Sequence, residues 1–236
     1  MDVQKEVERI GIKKNFNLKK GMAVGYIIND PMKLSNVLKA GIFNEFYAVA
    51  LSAFGQKDSE GFQSDVYKHL FNVETLILVF ADNCGGKGMG FRTYSIFNPL
   101  LNGKTINILY LEGAAVKADY HSQGLYQSFT SNLYGEADYV AARTQNPVVV
   151  NALIKIFGLA YPITKKPSSE VKEIAHFIST HLKMKNYDYN SMVGKGTYGG
   201  ILTGSLPRVK NKAGRKLFSL IDPIVGDSMI IICPAK

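Results

Sequence analysis

Apolar and polar positions alternate with a period that changes along the chain. Residues 22–28 (MAVGYII) form a short apolar run before Asn29-Asp30-Pro31, which predicts a strand ending in a turn. Over residues 32–54, Leu34, Val37, Leu38, Ile42, Phe46, Val49 and Ala50 recur at helical spacing, with Gly41 expected to divide the run into two helices. A third short helix is expected over residues 64–71. Residues 76–81 and 89–97 are rich in β-formers and flank Asp82-Asn83-Cys84-Gly85-Gly86, so they predict a hairpin. Residues 106–116 predict a further strand after the turn residues Asn102-Gly103. Leu125, Phe129 and Leu133 fall on one face of a helix expected over 122–134. Residues 138–142 read as a strand. Pro147–Phe157 reads as a helix capped by Asn146, with Pro147 at its first position and Gly158 at its end. Ser168 is placed to cap another helix, with Val171, Ile174, Ala175, Ile178 and Leu182 in one stripe. Residues 187–204 are rich in Gly and Tyr and read as loops, and 229–233 as a last strand. The order predicts an α/β fold with a mixed sheet.

Charge divides the 236-residue chain more sharply than hydropathy does. It holds 28 Lys and Arg against 19 Asp and Glu, a net charge of +9. Residues 1–20 carry +3, residues 21–161 carry −1 and residues 162–236 carry +7. The expected organisation is a core over 1–161 and a basic C-terminal extension, 162–236, completing the same domain. Within the extension Arg208, Lys210, Lys212, Arg215 and Lys216 fall close together without an acid. A nucleic-acid partner is possible there but not favoured, because no aromatics interleave the charges; a solvated loop is the expectation. Cys84 and Cys233 lie far apart and suggest a reducing compartment. No apolar run approaches the roughly 20 residues that cross a bilayer, and residues 1–10 lack the apolar run of a leader. A cytoplasmic protein without a membrane partner is expected.

Several motifs fail on their context. Gly194-Lys195-Gly196-Thr197-Tyr198-Gly199 fits G-x-G-x-x-G, but Gly200-Ile201-Leu202-Thr203-Gly204 follows where a helix is required. Gly103-Lys104-Thr105 lacks the earlier Gly of a P-loop, the position being Asn98. No G-x-S-x-G occurs, and the two Cys and four His show no zinc-ligand spacing. No metal is expected.

One stretch retains chemical meaning. The strand INILYLEGAAV leads through Lys117-Ala118-Asp119-Tyr120 into His121-Ser122-Gln123-Gly124-Leu125-Tyr126 and then a helix. The first N–H groups of a helix have no intrahelical partner, and the helix dipole adds positive charge there. Such a junction suits a phosphate, and Gly124 allows close backbone approach.

Over residues 22–161, and specifically over 106–161, the sequence resembles the GNAT superfamily of acyl-CoA-dependent N-acetyltransferases. Val116 stands five residues before a loop of the family's form [Q/R]-x-x-G-x-[G/A], and Gly124 matches its central Gly. Tyr139-Val140-Ala141-Ala142-Arg143-Thr144-Gln145-Asn146 resembles the family's fifth strand and the Asn opening its next helix. Asn151 to Leu159 resembles the helix that closes on a Gly. The sequence departs from the family at His121, at Tyr126 and at Ile154, where a proton-donating Tyr is often found.

The resemblance implies a GNAT-like, mixed and mostly antiparallel sheet flanked by helices. It also implies an acetyl-CoA or other acyl-CoA co-substrate and transfer to a primary amine. Backbone of Ala114, Ala115 and Val116 would hold the pantetheine arm, and N–H groups of Gln123, Gly124, Leu125, Tyr126 and Gln127 the pyrophosphate. His121 would contact the anion, and Asn146 the thioester end. Glu112, a carboxylate in an apolar strand, is the candidate base, with a raised pKa expected. Tyr161 is the candidate acid. A degenerate acyl-CoA binder without turnover is the alternative.

Overall fold

The computed structural model describes residues 2–81, 86–131, 133, 135–207, 209 and 211–235. Residues 82–85 of the turn expected over 82–86 therefore lie outside the described residues, as do Arg208 and Lys210. The elements run α1 (Val3–Ile10), β1 (Ile12–Leu18), β2 (Gly21–Asn29), α2 (Asn36–Phe54), α3 (Glu60–Phe71), β3 (Thr75–Phe80) and β4 (Gly88–Phe97). They continue with β5 (Leu100–Leu101), β6 (Lys104–Thr105), β7 (Ile108–Val116), α4 (Leu125–Ser131), β8 (Tyr139–Thr144) and α5 (Pro147–Phe157). The remainder is α6 (Ser169–His181), β9 (Tyr187–Asp188), β10 (Val193–Gly194), α7 (Lys212–Phe218) and β11 (Ser228–Pro234). The strands build a mixed, mostly antiparallel sheet. The chain forms two compact units, residues 1–95 with 111–133, and 96–110 with 134–236. The division passes within β4 and β7, and residues 162–236 share a unit with 134–161.

In the first unit β1, β2, β3 and β4 are successive antiparallel neighbours, and β7 lies beside β4. Leu76, Leu78 and Phe80 alternate with Ile77 and Val79, so β3 buries both faces. The even set packs with Phe91 and Ala115 against Leu38, Ile42, Phe46 and Val49 of α2 and Leu70 of α3. The odd set packs with Phe16, Met89, Leu125 and Phe129. Helix α2 runs unbroken through Gly41. A mid-helix Gly costs only about 1 kcal/mol, and the buried stripe on both sides of it outweighs that. By length and composition α2 would also suffice to cross a bilayer, which the sequence reading did not anticipate; here its apolar stripe covers the sheet. Ser59 caps α3 through Phe62 N, which starts that helix four residues earlier than expected.

In the second unit the order is β7, β8, β11, β10, β9. Asn107 O accepts from Asp138 N at 2.9 Å and Tyr139 N at 3.2 Å, so β7 and β8 start side by side and run the same way. β11 pairs antiparallel with β8, with Ile231 opposite Ala142. Ile230 and Ile232 pack with Ile108, Tyr110 and Ala141 under Val171, Ile174 and Ile178 of α6. The basic run is not simply a loop, because residues 212–218 form α7. Asn211 caps it and Leu217 is buried, while Arg215 and Lys216 stay exposed. The Gly-rich segment is held by Asp227, which accepts from Lys195 Nζ and Gly196 N, and by Tyr198 N donating to Gly226 O.

Candidate functional site at the β7–α4 junction

Ten of the twelve residues singled out above lie on one continuous piece of the first unit, residues 112–127. β7 ends with Ala115 packed toward α2 and α3 and Val116 packed toward α4. Adjacent strand residues point to opposite faces, so the strand end is clamped from both sides. Gly90 on β4 makes the close approach possible: a Cβ there would lie 2.8 Å from Ala115 O and 3.3 Å from Leu125 Cδ2.

The loop is braced through its backbone. Lys117 N donates to Met89 O at 2.8 Å, Ala118 N to Ser52 Oγ at 3.1 Å, and Lys19 N to Gln123 O at 2.8 Å. The His121 ring turns back on the strand and its Nε2 donates to Val116 O at 2.8 Å. A carbonyl can only accept, so this bond fixes the proton on Nε2. Ser122 and Gly124 then adopt positive φ of 65° and 90°. Beyond its two chain neighbours, no described atom lies within 4 Å of a Cβ added at Gly124, so this Gly is required by backbone conformation, with open space beside it. The first helical bond is Ser128 N to Gly124 O at 2.9 Å. The N–H groups of Gly124, Leu125, Tyr126 and Gln127 precede it and have no partner within the helix. Gln123 N is already engaged, donating to Tyr120 O at 3.3 Å.

Glu112 is half-buried in β7, and Ser95 Oγ donates to its Oε1 at 3.0 Å. Thr93 Oγ1 donates to the carbonyl of the next residue, Gly113, at 3.4 Å. His69 of α3 stands on the same side, its Nδ1 3.2 Å from where a Gly113 Cβ would be. Neither Ser95 nor His69 carries a motif, and only the fold brings them to Glu112 and Gly113. The Tyr126 ring lies under the guanidinium of Arg92, whose Cζ is 4.8 Å from the ring centroid.

The other two residues belong to the second unit. Asn146 caps α5 as expected, its Oδ1 accepting from Val148 N at 2.9 Å. Tyr161 bridges to β11 through its backbone, donating to Ile232 O at 2.8 Å and accepting from Ile232 N at 3.1 Å. Its ring packs on the cluster beneath α6. Burial and the carboxylate of Glu170 push the neighbouring Tyr139 hydroxyl up to about 12.

No family model matches the sequence, and no curated protein matches it. Solved structures do. A probable N-acyltransferase of unknown function from Enterococcus faecalis matches at 10% identity and TM-score 0.40, over 58% of this chain and 32% of that one. A GCN5-related N-acetyltransferase from Kribbella flavida matches at 11% and 0.37, over 56% of this chain and 32% of that one. The chain thus spans about a third of the length of each of these two. The ribosomal-protein-S18-alanine N-acetyltransferase from Escherichia coli matches at 11% and 0.39, over 90% of this chain and 94% of that one. Each of these three likenesses has a TM-score below 0.5.

Proposed function

We propose that the protein transfers an acyl group from acyl-CoA to a primary amine, with acetyl-CoA as the natural donor. The reading rests on the β7–α4 junction, where Ser122 and Gly124 take positive φ and the backbone N–H groups of Gly124 to Gln127 have no partner within the helix that follows. Backbone donors beside a strand end suit a diphosphate followed by an extended arm. Acyl-CoA supplies an activated thioester carbonyl. The chain's own residues do the rest. N–H groups of Gly124 to Gln127 bind the pyrophosphate, and the backbone of Ala114 to Val116 lies along the arm. An N–H of Ala115 or Val116 stabilises negative charge at the carbonyl oxygen. Glu112, oriented by the Ser95 hydroxyl, accepts the proton that the ammonium form of the acceptor must lose before attack.

Thiol release in the presence of acetyl-CoA and a panel of primary amines tests this. Glu112→Gln is expected to lower turnover by about 100-fold or more with acetyl-CoA affinity unchanged. Turnover by Glu112→Gln at the wild-type rate removes Glu112 as the base. Acetyl-CoA binding without thiol release from any amine favours the non-catalytic alternative, for which Ile154 is the sequence argument.

A further inference from the structure

Arg92 is the largest fully buried side chain among the described residues, at 1% exposure, and neither its Nε nor its Nη2 has a hydrogen-bond partner. Its surroundings make this costly. Arg92 sits opposite Ile77 of β3, and alternation places it on one face with Gly90 and Tyr94. That face is the apolar cluster of Ile77, Val79, Met89, Leu125 and Phe129, with Tyr94, Val116 and Tyr120 packed on it. A buried guanidinium with two unpartnered nitrogens opposes folding, and an anion nearby would offset that cost.

Its neighbours belong to the β7–α4 loop. Arg92 stacks on Tyr126, whose N–H belongs to the loop, and a Cβ at Gly90, two residues away, would lie 3.3 Å from the first residue of α4. The loop's own Lys117 pairs with Asp119 at 3.7 Å. We propose that Arg92 is a positioning residue of the anion site: its buried charge, transmitted through the Tyr126 ring, holds the loop donors in place and is neutralised when a diphosphate binds. This rests on the acyl-CoA reading above. It also accounts for Tyr126, which stands where the family resemblance expects a Gly or Ala.

The test measures melting midpoints and the affinities of inorganic pyrophosphate and acetyl-CoA for wild type, Arg92→Met and Arg92→Lys. Arg92→Met is expected to melt at or above wild type without ligand, because it removes a buried charge at similar volume. It is expected to bind both probes at least tenfold more weakly, while Arg92→Lys stays within threefold of wild type. An Arg92→Met protein that binds pyrophosphate within twofold of wild type overturns the proposal. So does one that fails to fold or melts below wild type, since the guanidinium then serves the fold alone. So does Arg92→Lys binding no better than Arg92→Met. Wild type binding neither probe removes the acyl-CoA reading itself; wild type binding both, with Arg92→Met equal to it, removes only the role of Arg92.

Discussion

Replacing Asp227 by Asn changes one charge on a buried acceptor and almost nothing of its shape. The Asp227 side chain is 1% exposed. Its Oδ2 accepts from Lys195 Nζ at 2.7 Å and Asp222 N at 3.0 Å, and its Oδ1 from Gly196 N at 3.0 Å. Two backbone donors bonded to a charged group are worth about 1.5 kcal/mol each. The Lys195 ammonium belongs to a side chain 58% exposed, so that pair adds under about 1 kcal/mol. The amide keeps one accepting oxygen but turns its NH2 toward the other donors, so the loss is about 3 kcal/mol, which for a chain of this size lowers Tm by about 6–12 °C. Burial pushes the carboxyl pKa up, but the bonds from Lys195, Asp222 and Gly196 outweigh it and hold the pKa below the ordinary value. A depressed native pKa means the stabilisation is complete above the unfolded-state value, about 3.9, and disappears as pH falls through the native one. Thermal melts followed by far-UV circular dichroism at pH 7 and down to pH 3 are the assay. Wild type and variant should differ fully at pH 7, and the difference should shrink as pH falls below about 4. A loss under about 2 °C at pH 7, or a difference that does not shrink in acid, would refute the reasoning.

Other outcomes follow from single residues. Gly124→Ala places a side chain at φ 90° in open space, so it should cost about 1–2 kcal/mol of strain without a clash and weaken acetyl-CoA binding at least tenfold; unchanged affinity would show that the loop conformation does not matter. Cys233 is fully buried and burial pushes its thiol up to about 12. In a Cys84→Ser background it should resist aromatic disulfide reagents at pH 8 until the protein is unfolded, and rapid native labelling would contradict its burial. Ser95→Ala should leave acetyl-CoA affinity alone while lowering turnover by a few-fold, because it frees the Glu112 carboxylate to reorient.

The sequence spoke most clearly where punctuation and periodicity agreed. Asn146, Pro147 and Gly158 bracket α5 at its observed ends, and Ser168 opens α6 with the expected stripe buried. Where burial is one-sided and the rest is charged, the pattern faded. β1 exposes Ile12 and fully buries only Phe16, so its sequence IKKNFNL gave no strand signal. α7 was hidden in a run of basic residues whose buried positions are Gly214 and Leu217. Gly41 carried too much weight, because a packed stripe overrides the intrinsic cost of a helical Gly.

The candidate site divides in the same way. Gly124 and the strand–loop–helix order are local features and could be read directly. The Ser95–Glu112 bond, the His69 approach to Gly113 and the Arg92–Tyr126 stack join residues 17 to 44 positions apart in sequence. They exist only once β4, β7 and α3 have packed. The near-neutral charge of residues 21–161 also gains meaning, since the loop's candidate donors are backbone groups and Arg92 of β4, a buried cation, is invisible to a surface tally.

The central claim is that the β7–α4 loop binds the diphosphate of an acyl-CoA. Titration calorimetry of the full chain with acetyl-CoA, coenzyme A and S-acetylpantetheine, which lacks the diphosphate, tests it most directly. The account predicts one-to-one binding of acetyl-CoA and coenzyme A, and binding of S-acetylpantetheine at least tenfold weaker. No binding of acetyl-CoA or coenzyme A, or equal affinity for S-acetylpantetheine, would contradict it.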